Sequence, residues 1–344
     1  MKAAVTGASG FIGGYLVNEL IKQGHHVAAL CRSESVSAHL RGQGVSVAVG
    51  NLLDPDSLRK FCRGQDCVFH GAAIVSGFAP WSQFYNTGVV GTENIINAAA
   101  EAGVVRFIHL SSMTVYGTRP NLLPIKESTP IDQHVKSWNH YARQKILSEM
   151  VVWEAYNSGK ILATIFRPSL VLGPGDHNVV ARTLRYIKSP FGAIIGHGHN
   201  YVACVVVDEL ARAIVKSATL QVAIGKAYNL SGANPITQAD YLNFHALAAG
   251  LPQIRRKIPV KLAQVSCAVL ENLYNLIRSS DEPFCTRIAL DLVSEHLEVD
   301  CSLATHDLSW TGNGDYERAI RLSVEWYLKN QNQFESPQRK LMIV

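Results

Sequence analysis

Through its first half the chain alternates short β-branched runs with longer amphipathic stretches. The runs at residues 2–5, 27–30, 45–49, 67–69, 107–110 and 162–166 read as strands. The stretches at 11–23, 55–61, 83–102 and 140–157 read as helices, each ending at or near a glycine: Gly24, Gly64, Gly103 and Gly159. Such alternation is the pattern of an α/β protein, a parallel sheet covered on both faces.

Beyond Pro168 the rhythm changes. Gly173-Pro174-Gly175-Asp176 and Ile195-Gly196-His197-Gly198-His199-Asn200 are loop-rich, with a helix predicted over 179–188 between them. Residues 202–207 read as a strand, 208–220 as a helix capped by Asp208, and 228–230 as another strand. From Pro235 the pattern is mainly helical, and a helix over 261–278 carries apolar residues at 262, 265, 269, 273 and 276. That stripe fits either ordinary core or the lining of a lipophilic pocket. With no repeat and no flexible linker, we expect two tightly packed parts. The first spans 1–170 with a return segment at about 202–230, and the smaller, mainly helical second part comprises 171–201 and 231–344.

Composition narrows the class. A chain of 344 residues, 47% hydrophobic and 17% charged, can bury a large core. The formal charge of +5 is mild, and the Lys and Arg residues are scattered rather than clustered among aromatics. This argues against a nucleic-acid partner and suits a phosphate-rich ligand. Met1-Lys2-Ala3-Ala4-Val5 runs straight into a strand, so we expect no secretory leader and a cytoplasmic protein. No run approaches the ~18 apolar residues of a spanning helix, so no integral membrane span is expected. The seven cysteines, odd in number and dispersed, read as reduced thiols. Cys62 and Cys67 lack a second ligand pair, and His197 and His199 flank a loop glycine, so no metal site is expected.

Thr6-Gly7-Ala8-Ser9-Gly10-Phe11-Ile12-Gly13 lies between the first strand and the first helix, the context in which a glycine fingerprint carries weight. Gly7 permits the tight turn, Gly10 lets the backbone approach a pyrophosphate, and Gly13 lets helix and strand pack closely. The ligand's charge then faces the unpaired amides of that helix. We therefore expect a Rossmann-type doubly wound sheet with a dinucleotide cofactor. At the end of the second strand, Ala29-Leu30-Cys31-Arg32-Ser33 has no carboxylate for the adenosine ribose of NAD. Arg32 can offer a bidentate fork to a 2′-phosphate and Ser33 a hydroxyl beside it, which favours NADP(H) with NAD(H) still open. A solvated surface role for Arg32 is the alternative.

Two further features carry a resemblance: Tyr141-Ala-Arg-Gln-Lys145 on a predicted helix, and His109-Leu-Ser-Ser112-Met-Thr-Val-Tyr-Gly117 closing the preceding strand. Together with Gly50-Asn51-Leu52, His70-Gly-Ala-Ala73, Asn86, Gly91-Thr92-Glu93-Asn94, Arg167-Pro168 and Gly173-Pro174-Gly175-Asp176, the chain resembles the extended short-chain dehydrogenase/reductase superfamily along nearly its whole length. The resemblance implies catalytic roles for Ser112, Tyr141 and Lys145. It implies cofactor contacts from the glycine loop, Ser9, Phe11 and Ile12 included, and from Asn51, Leu52, Ala72, Ala73, Tyr141, Lys145 and Pro168. Asn51 stands where the family usually has an aspartate, and Gln144 replaces the common serine beside the lysine. The helices near 83–102 and 140–157 often form a dimer bundle in relatives, which implies a homodimer.

The chemistry accounts for these residue types. Reducing a ketone leaves an oxyanion that needs a proton, and the reverse reaction removes it. A tyrosine can serve both ways if a neighbouring ammonium and the positive nicotinamide lower its pKa from about 10. Lys145 lies four residues on, on the same helical face, and can also bond the nicotinamide ribose. Ser112 can hold the substrate oxygen. An isolated Tyr-x-x-x-Lys also occurs as an ordinary exposed helix pair, so the glycine loop and Ser112 carry part of the case.

Three readings compete for the substrate. Nucleotide-sugar epimerases and dehydratases typically carry an arginine in the segment after the Gly-x-Gly loop, and here that position falls on Val202, which cannot neutralise a diphosphate. The other enzymatic branch resembles 3β-hydroxysteroid dehydrogenases and reductases of long-chain 3-oxo acids. Its likeness rests on Phe78-Ala-Pro-Trp81 before Phe84, Glu271-Asn-Leu-Tyr274, Glu282-Pro283 and Thr286-Arg287. This favours a mostly apolar small-molecule carbonyl or alcohol substrate. Dinucleotide-sensing regulators form a third class, but they generally lack the tyrosine and lysine retained here.

Overall fold

The computed structural model describes residues 1–75, 79–117, 124–276 and 285–333; Phe78, Arg278, Glu282 and Pro283 lie outside them. Strands β1 (Lys2–Thr6), β2 (His26–Cys31), β3 (Ser46–Val49), β4 (Cys67–His70), β5 (Arg106–Leu110) and β6 (Leu162–Pro168) precede the short β7 (Leu170–Leu172), β8 (Ile194–Ile195), β9 (Tyr201–Val202) and β10 (Cys204–Val206). Strands β11 (Lys226–Leu230), β12 (Ile236–Thr237) and β13 (Lys257–Ile258) follow. The first helices are α1 (Phe11–Lys22), α2 (Glu34–Gly42), α3 (Pro55–Cys62), α4 (Trp81–Tyr85), α5 (Gly91–Glu101) and α6 (His140–Asn157). Then come α7 (Val179–Lys188), α8 (Val207–Ser217), α9 (Gln238–Ala248), α10 (Val260–Leu276), α11 (Arg287–Ser294), α12 (Ser302–Leu308) and α13 (Tyr316–Asn330).

Seven parallel strands form the central sheet in the order β11-β6-β5-β4-β1-β2-β3. Every residue of β4 and β5 is buried, as helices on both faces require. One apolar layer gathers Leu16, Val17, Leu20, Leu210 and Ile214 from α1 and α8, and the opposite layer gathers Leu58, Ile95, Ile96 and Val152 from α3, α5 and α6. Strand order reverses between β1 and β4, which opens a crevice at their carboxyl ends. A third cluster packs Leu184, Tyr241, Leu242, Ile320 and Val324 from α7, α9 and α13. No helix among the described residues is long and apolar enough to cross a membrane.

Several elements differ from expectation. Residues 83–102 are not one α-helix: a π-helical turn, Asn86–Val90, separates α4 from α5. Two contacts meet at this turn: Thr92 Oγ1 donates to the Gly88 carbonyl at 2.6 Å, and the buried Gln144 side chain of α6 lies where a Cβ on Gly88 would stand. The strand expected over 202–207 breaks at Ala203, because β9 pairs antiparallel with β12 whereas β10 pairs parallel with β7. Asp208 is not the cap of the next helix: α8 begins at Val207, with Val206 at the N-cap, and Asp208 lies in its first turn. Helix α2 was not anticipated, having few apolar positions to signal it.

Among the described residues, the apolar stripe of α10 does not join the core. Leu262, Val265, Val269, Leu273 and Leu276 are all exposed, while Ala263, Cys267 and Glu271 face inward. The inward face is chosen by small residues that pack with Ile195 and Leu290, and by Glu271, which accepts from the Arg287 amide at 2.7 Å and from its Nε at 2.6 Å. An unpaired carboxylate turned inward would be costly, and Arg287 meets that need on this side.

Gly88→Ala should destabilise the fold by about 1–3 kcal/mol through overpacking against Gln144, and the Gly88→Ala/Gln144→Ala pair should lose much less than the two single changes together. Urea unfolding of the four proteins measures that coupling.

Candidate active site

The glycine loop stands at the carboxyl end of β1, on one side of the crevice. Gly7 has φ +74°, a conformation that favours glycine, and a Cβ there would stand 2.8 Å from the Ala72 amide nitrogen. A Cβ on Gly13 would overlap the Gly7 carbonyl oxygen, so α1 can approach the loop only without a side chain there. Gly10 donates to the Gly7 carbonyl at 2.9 Å and caps α1 in an extended conformation. The first turn of α1 contains no acidic residue, so its dipole and amides are available to an anion. Ser9 is exposed and Phe11 and Ile12 half-buried, with Phe11 facing the Gly173–Gly175 turn.

The remaining expected cofactor residues follow the same sheet edge. Arg32 and Ser33 leave the end of β2, Arg32 exposed and Ser33 at the N-cap of α2. Asn51 is exposed, and its side-chain oxygen accepts from the Leu53 amide at 3.0 Å. Leu52 is buried and its carbonyl accepts from Asn94 Nδ2 at 2.9 Å. The Ala72 amide donates to Thr6 Oγ1 at 3.3 Å, Ala73 is half-buried, and Pro168 closes β6.

Ser112, Tyr141 and Lys145 come together where β5 ends against α6. Ser112 caps a 3-10 turn, Met113–Tyr116, its hydroxyl accepting from the Thr114 amide at 3.3 Å. Burial raises the Tyr141 pKa, and the neighbouring Ser112 hydroxyl pulls it back in part. The Lys145 ammonium lies 6.0 Å from the centre of the Tyr141 ring and donates to the Leu110 carbonyl at 2.6 Å. Burial lowers its pKa from 10.5 to about 8, and Glu149 opposes the fall. In the folded chain burial outweighs the contribution of Ser112 to the Tyr141 pKa.

Behind Lys145 runs a network that sequence reasoning missed. Glu149, four residues further along α6 and fully buried, receives two donors from Arg167: Nη2 at 2.6 Å and Nε at 3.0 Å. Arg167 Nη1 donates at 2.6 Å to the Tyr116 hydroxyl, which donates in turn to Asn229 Oδ1 at 2.8 Å. A glutamate eight residues after the tyrosine was readable as a member of the same helical face. Gln144 was noted only as a departure, yet its amide donates to the Ile74 carbonyl at 3.2 Å and accepts from the Ile74 amide at 3.4 Å.

His70 links the two sides of the crevice. Its Nδ1 meets Thr6 Oγ1 at 2.7 Å and its Nε2 meets Thr92 Oγ1 at 3.0 Å. Because the Thr92 hydroxyl is committed to the Gly88 carbonyl, Nε2 is the donor and Nδ1 accepts from Thr6. Burial, assisted by Lys145, holds His70 neutral, its pKa pushed down to about 3. Toward the carboxyl ends of β5 and β6, the hydroxyls of Ser111, Thr114 and Ser169 are buried without a protein partner. Spare hydroxyls here and a glycine cradle at β1 together fit a dinucleotide stretched across the switch point.

A parallel sheet with this crevice, and a serine, tyrosine and lysine at its rim, defines an NAD(P)-dependent oxidoreductase of the extended short-chain dehydrogenase/reductase class. Residues 3–231 match the model of the NAD dependent epimerase/dehydratase family, and the chain belongs to that family. A 2-alkyl-3-oxoalkanoate reductase from Stenotrophomonas maltophilia is 30% identical over 327 residues, covering 93% of this chain and 98% of its own. A protein of the same description from Shewanella oneidensis is 28% identical over 330 residues, covering 93% and 84%. Among solved structures, a dTDP-glucose 4,6-dehydratase from Streptomyces venezuelae with NAD bound shares the fold at a TM-score of 0.76 and 22% identity, covering 97% and 99%. The reductase-named relatives place the chemistry in ketone and alcohol oxidoreduction.

The lowered pKa of Lys145 has a stability consequence. Between about pH 8 and 10.5 the unfolded chain holds this proton more than the folded chain does, so the stability of the wild type rises with pH in that window relative to Lys145→Met. The difference should be constant below the window and grow to about 3 kcal/mol across it. Urea unfolding of both proteins over that range measures it.

Proposed function

We propose that the protein is an NADP(H)-dependent reductase that interconverts a ketone and a secondary alcohol on a mostly apolar substrate. The observation that carries this reading is the placing of Lys145 one turn after Tyr141 on α6, its ammonium 6.0 Å from the centre of the phenol ring, with Ser112 just beyond the end of β5. When bound, the dinucleotide supplies or accepts the hydride. Ser112 holds the substrate oxygen, and the Tyr141 phenol gives it a proton in reduction and takes one in oxidation. Lys145 bonds the nicotinamide ribose, and its charge together with that of the oxidised cofactor offsets the burial that raises Tyr141. Gly7, Ser9, Gly10, Phe11, Ile12 and Gly13 cradle the pyrophosphate, Asn51 and Leu52 border the adenine, and Ala72, Ala73 and Pro168 border the nicotinamide half.

Several observations support the substrate class. Val202, at the position where nucleotide-sugar enzymes typically place a diphosphate-binding arginine, is buried in the apolar cluster of the second region. Relatives named for 2-alkyl-3-oxoalkanoates favour a 2-alkyl-3-oxo acid. In this reading residues 1–170 and about 202–230 serve the cofactor, and 171–201 and 231–344 shape the substrate site. The enzyme works in the cytoplasm as a homodimer built on the faces of α5 and α6, near which Tyr85 and Met150 are exposed.

Replacing Tyr141 by Phe should lower kcat about 10²- to 10⁴-fold while leaving the cofactor Kd nearly unchanged, measured by stopped-flow reduction and fluorescence titration on a panel of 3-oxo acids, steroid ketones and nucleotide sugars. A variant near full rate, or turnover confined to nucleotide sugars, overturns the reading. Arg32→Ala should raise the KM for NADPH about 10- to 100-fold, the worth of a charge-assisted contact, with little change for NADH. Equal use of both cofactors by the wild type would count against Arg32.

A further inference from the structure

The outward stripe of α10 is unlike the rest of the surface. Five branched aliphatic side chains, Leu262, Val265, Val269, Leu273 and Leu276, line one side of a single helix, with exposures from 53% to 80%. Scattered exposed aliphatics need no explanation, but a row that runs the length of a helix on the side opposite its packed face is an unpartnered apolar surface. Among the described residues, no other element of the chain packs it away.

The charge around the stripe identifies what it fits. Arg255, Arg256, Lys257 and Lys261 lead directly into the helix and all four are exposed. Residues 241–270 contain no Asp or Glu, and the nearest carboxylate along α10, Glu271, is turned inward to Arg287. An aliphatic row with a cluster of cations at one end, and no acid on the outward side of α10 itself, complements a surface that is apolar below and anionic at its boundary. The helix is 17 residues long, and no described helix suits a span, so it would lie along such a surface rather than cross it.

We propose that α10 docks the protein on the surface of an anionic lipid bilayer, the aliphatic row entering the acyl boundary and the cations of 255–261 meeting the headgroups. The docking needs neither the cofactor nor the proposed reaction. The arginines sit where the chain enters the helix, and each contributes the attraction of one cation to a negatively charged leaflet.

The test is flotation of the purified full-length protein with extruded vesicles, either phosphatidylcholine alone or phosphatidylcholine mixed with phosphatidylglycerol. The wild type should float with the mixed vesicles and much less with the neutral ones, and added salt should release it. Arg255→Gln/Arg256→Gln should weaken partitioning about 25-fold, roughly fivefold per cation removed. Val269→Glu/Leu273→Glu should abolish it while the melting temperature stays near that of the wild type, since both side chains are exposed. The proposal fails if the wild type stays in the soluble fraction at low salt, if neutral vesicles bind it equally, or if the glutamate variant still floats. It fails also if light scattering shows a wild-type dimer that the glutamate variant splits while vesicles capture neither, because the stripe would then belong to a second copy of the chain.

Discussion

The buried pair of Arg167 and Glu149 holds together the half of the crevice proposed to be catalytic. Two charges removed from water are costly, and they are tolerated because the fork of one meets both oxygens of the other, while the remaining guanidinium donor finds the Tyr116 hydroxyl. The pair ties α6 to β6, and the Tyr116–Asn229 bond extends the tie to the 3-10 turn after Ser112 and to β11. Through it, the helix that carries Tyr141 and Lys145 is fixed against the strand end that carries Ser112. Glu149 also sets the electrostatics of Lys145, opposing the burial that would otherwise strip its proton more completely.

The half proposed to hold the cofactor is organised by the opposite device, the removal of side chains. Gly13 has no room for a Cβ against the Gly7 carbonyl, and Gly7 has little against Ala72, so the backbones of α1, β1 and the loop after β4 sit closer than side chains would allow. Between the halves, His70 is held in one tautomer by hydroxyls on β1 and α5. Gln144 joins the same seam by pairing both of its amide groups with the backbone of Ile74. Helix α6 and the glycine loop are thus joined to the same seam by neutral hydrogen bonds that do not depend on pH near neutrality.

Much of the fold was legible in the sequence because its signals are local. A glycine loop between a strand and a helix, and a tyrosine and lysine four residues apart on a helix, carry their geometry in their spacing. Elements shaped by distant partners were not legible. The π-helical turn at Asn86–Val90 exists because a side chain from α6 presses on Gly88, and the break at Ala203 because two strands recruit different neighbours. The partner of Glu149 lies on a strand, so helical periodicity could place the glutamate beside Lys145 and nothing more.

Helix α10 marks the same boundary most sharply. Periodicity determined that residues 262, 265, 269, 273 and 276 share a side, but not which way that side turns, since a helix rotated by half a turn keeps its pattern. Tertiary packing decided it: the small residues and Glu271 went inward to Leu290 and Arg287, and the larger aliphatics were left facing out. By itself the sequence determined most of the strand-and-helix order of the first part, the glycine loop between β1 and α1, and the helix that carries Tyr141 and Lys145, because each depends on bonds within a few residues. The buried ion pair, the π-helical turn and the outward stripe depend on contacts between residues far apart in the chain, and only the folded structure brings those residues together.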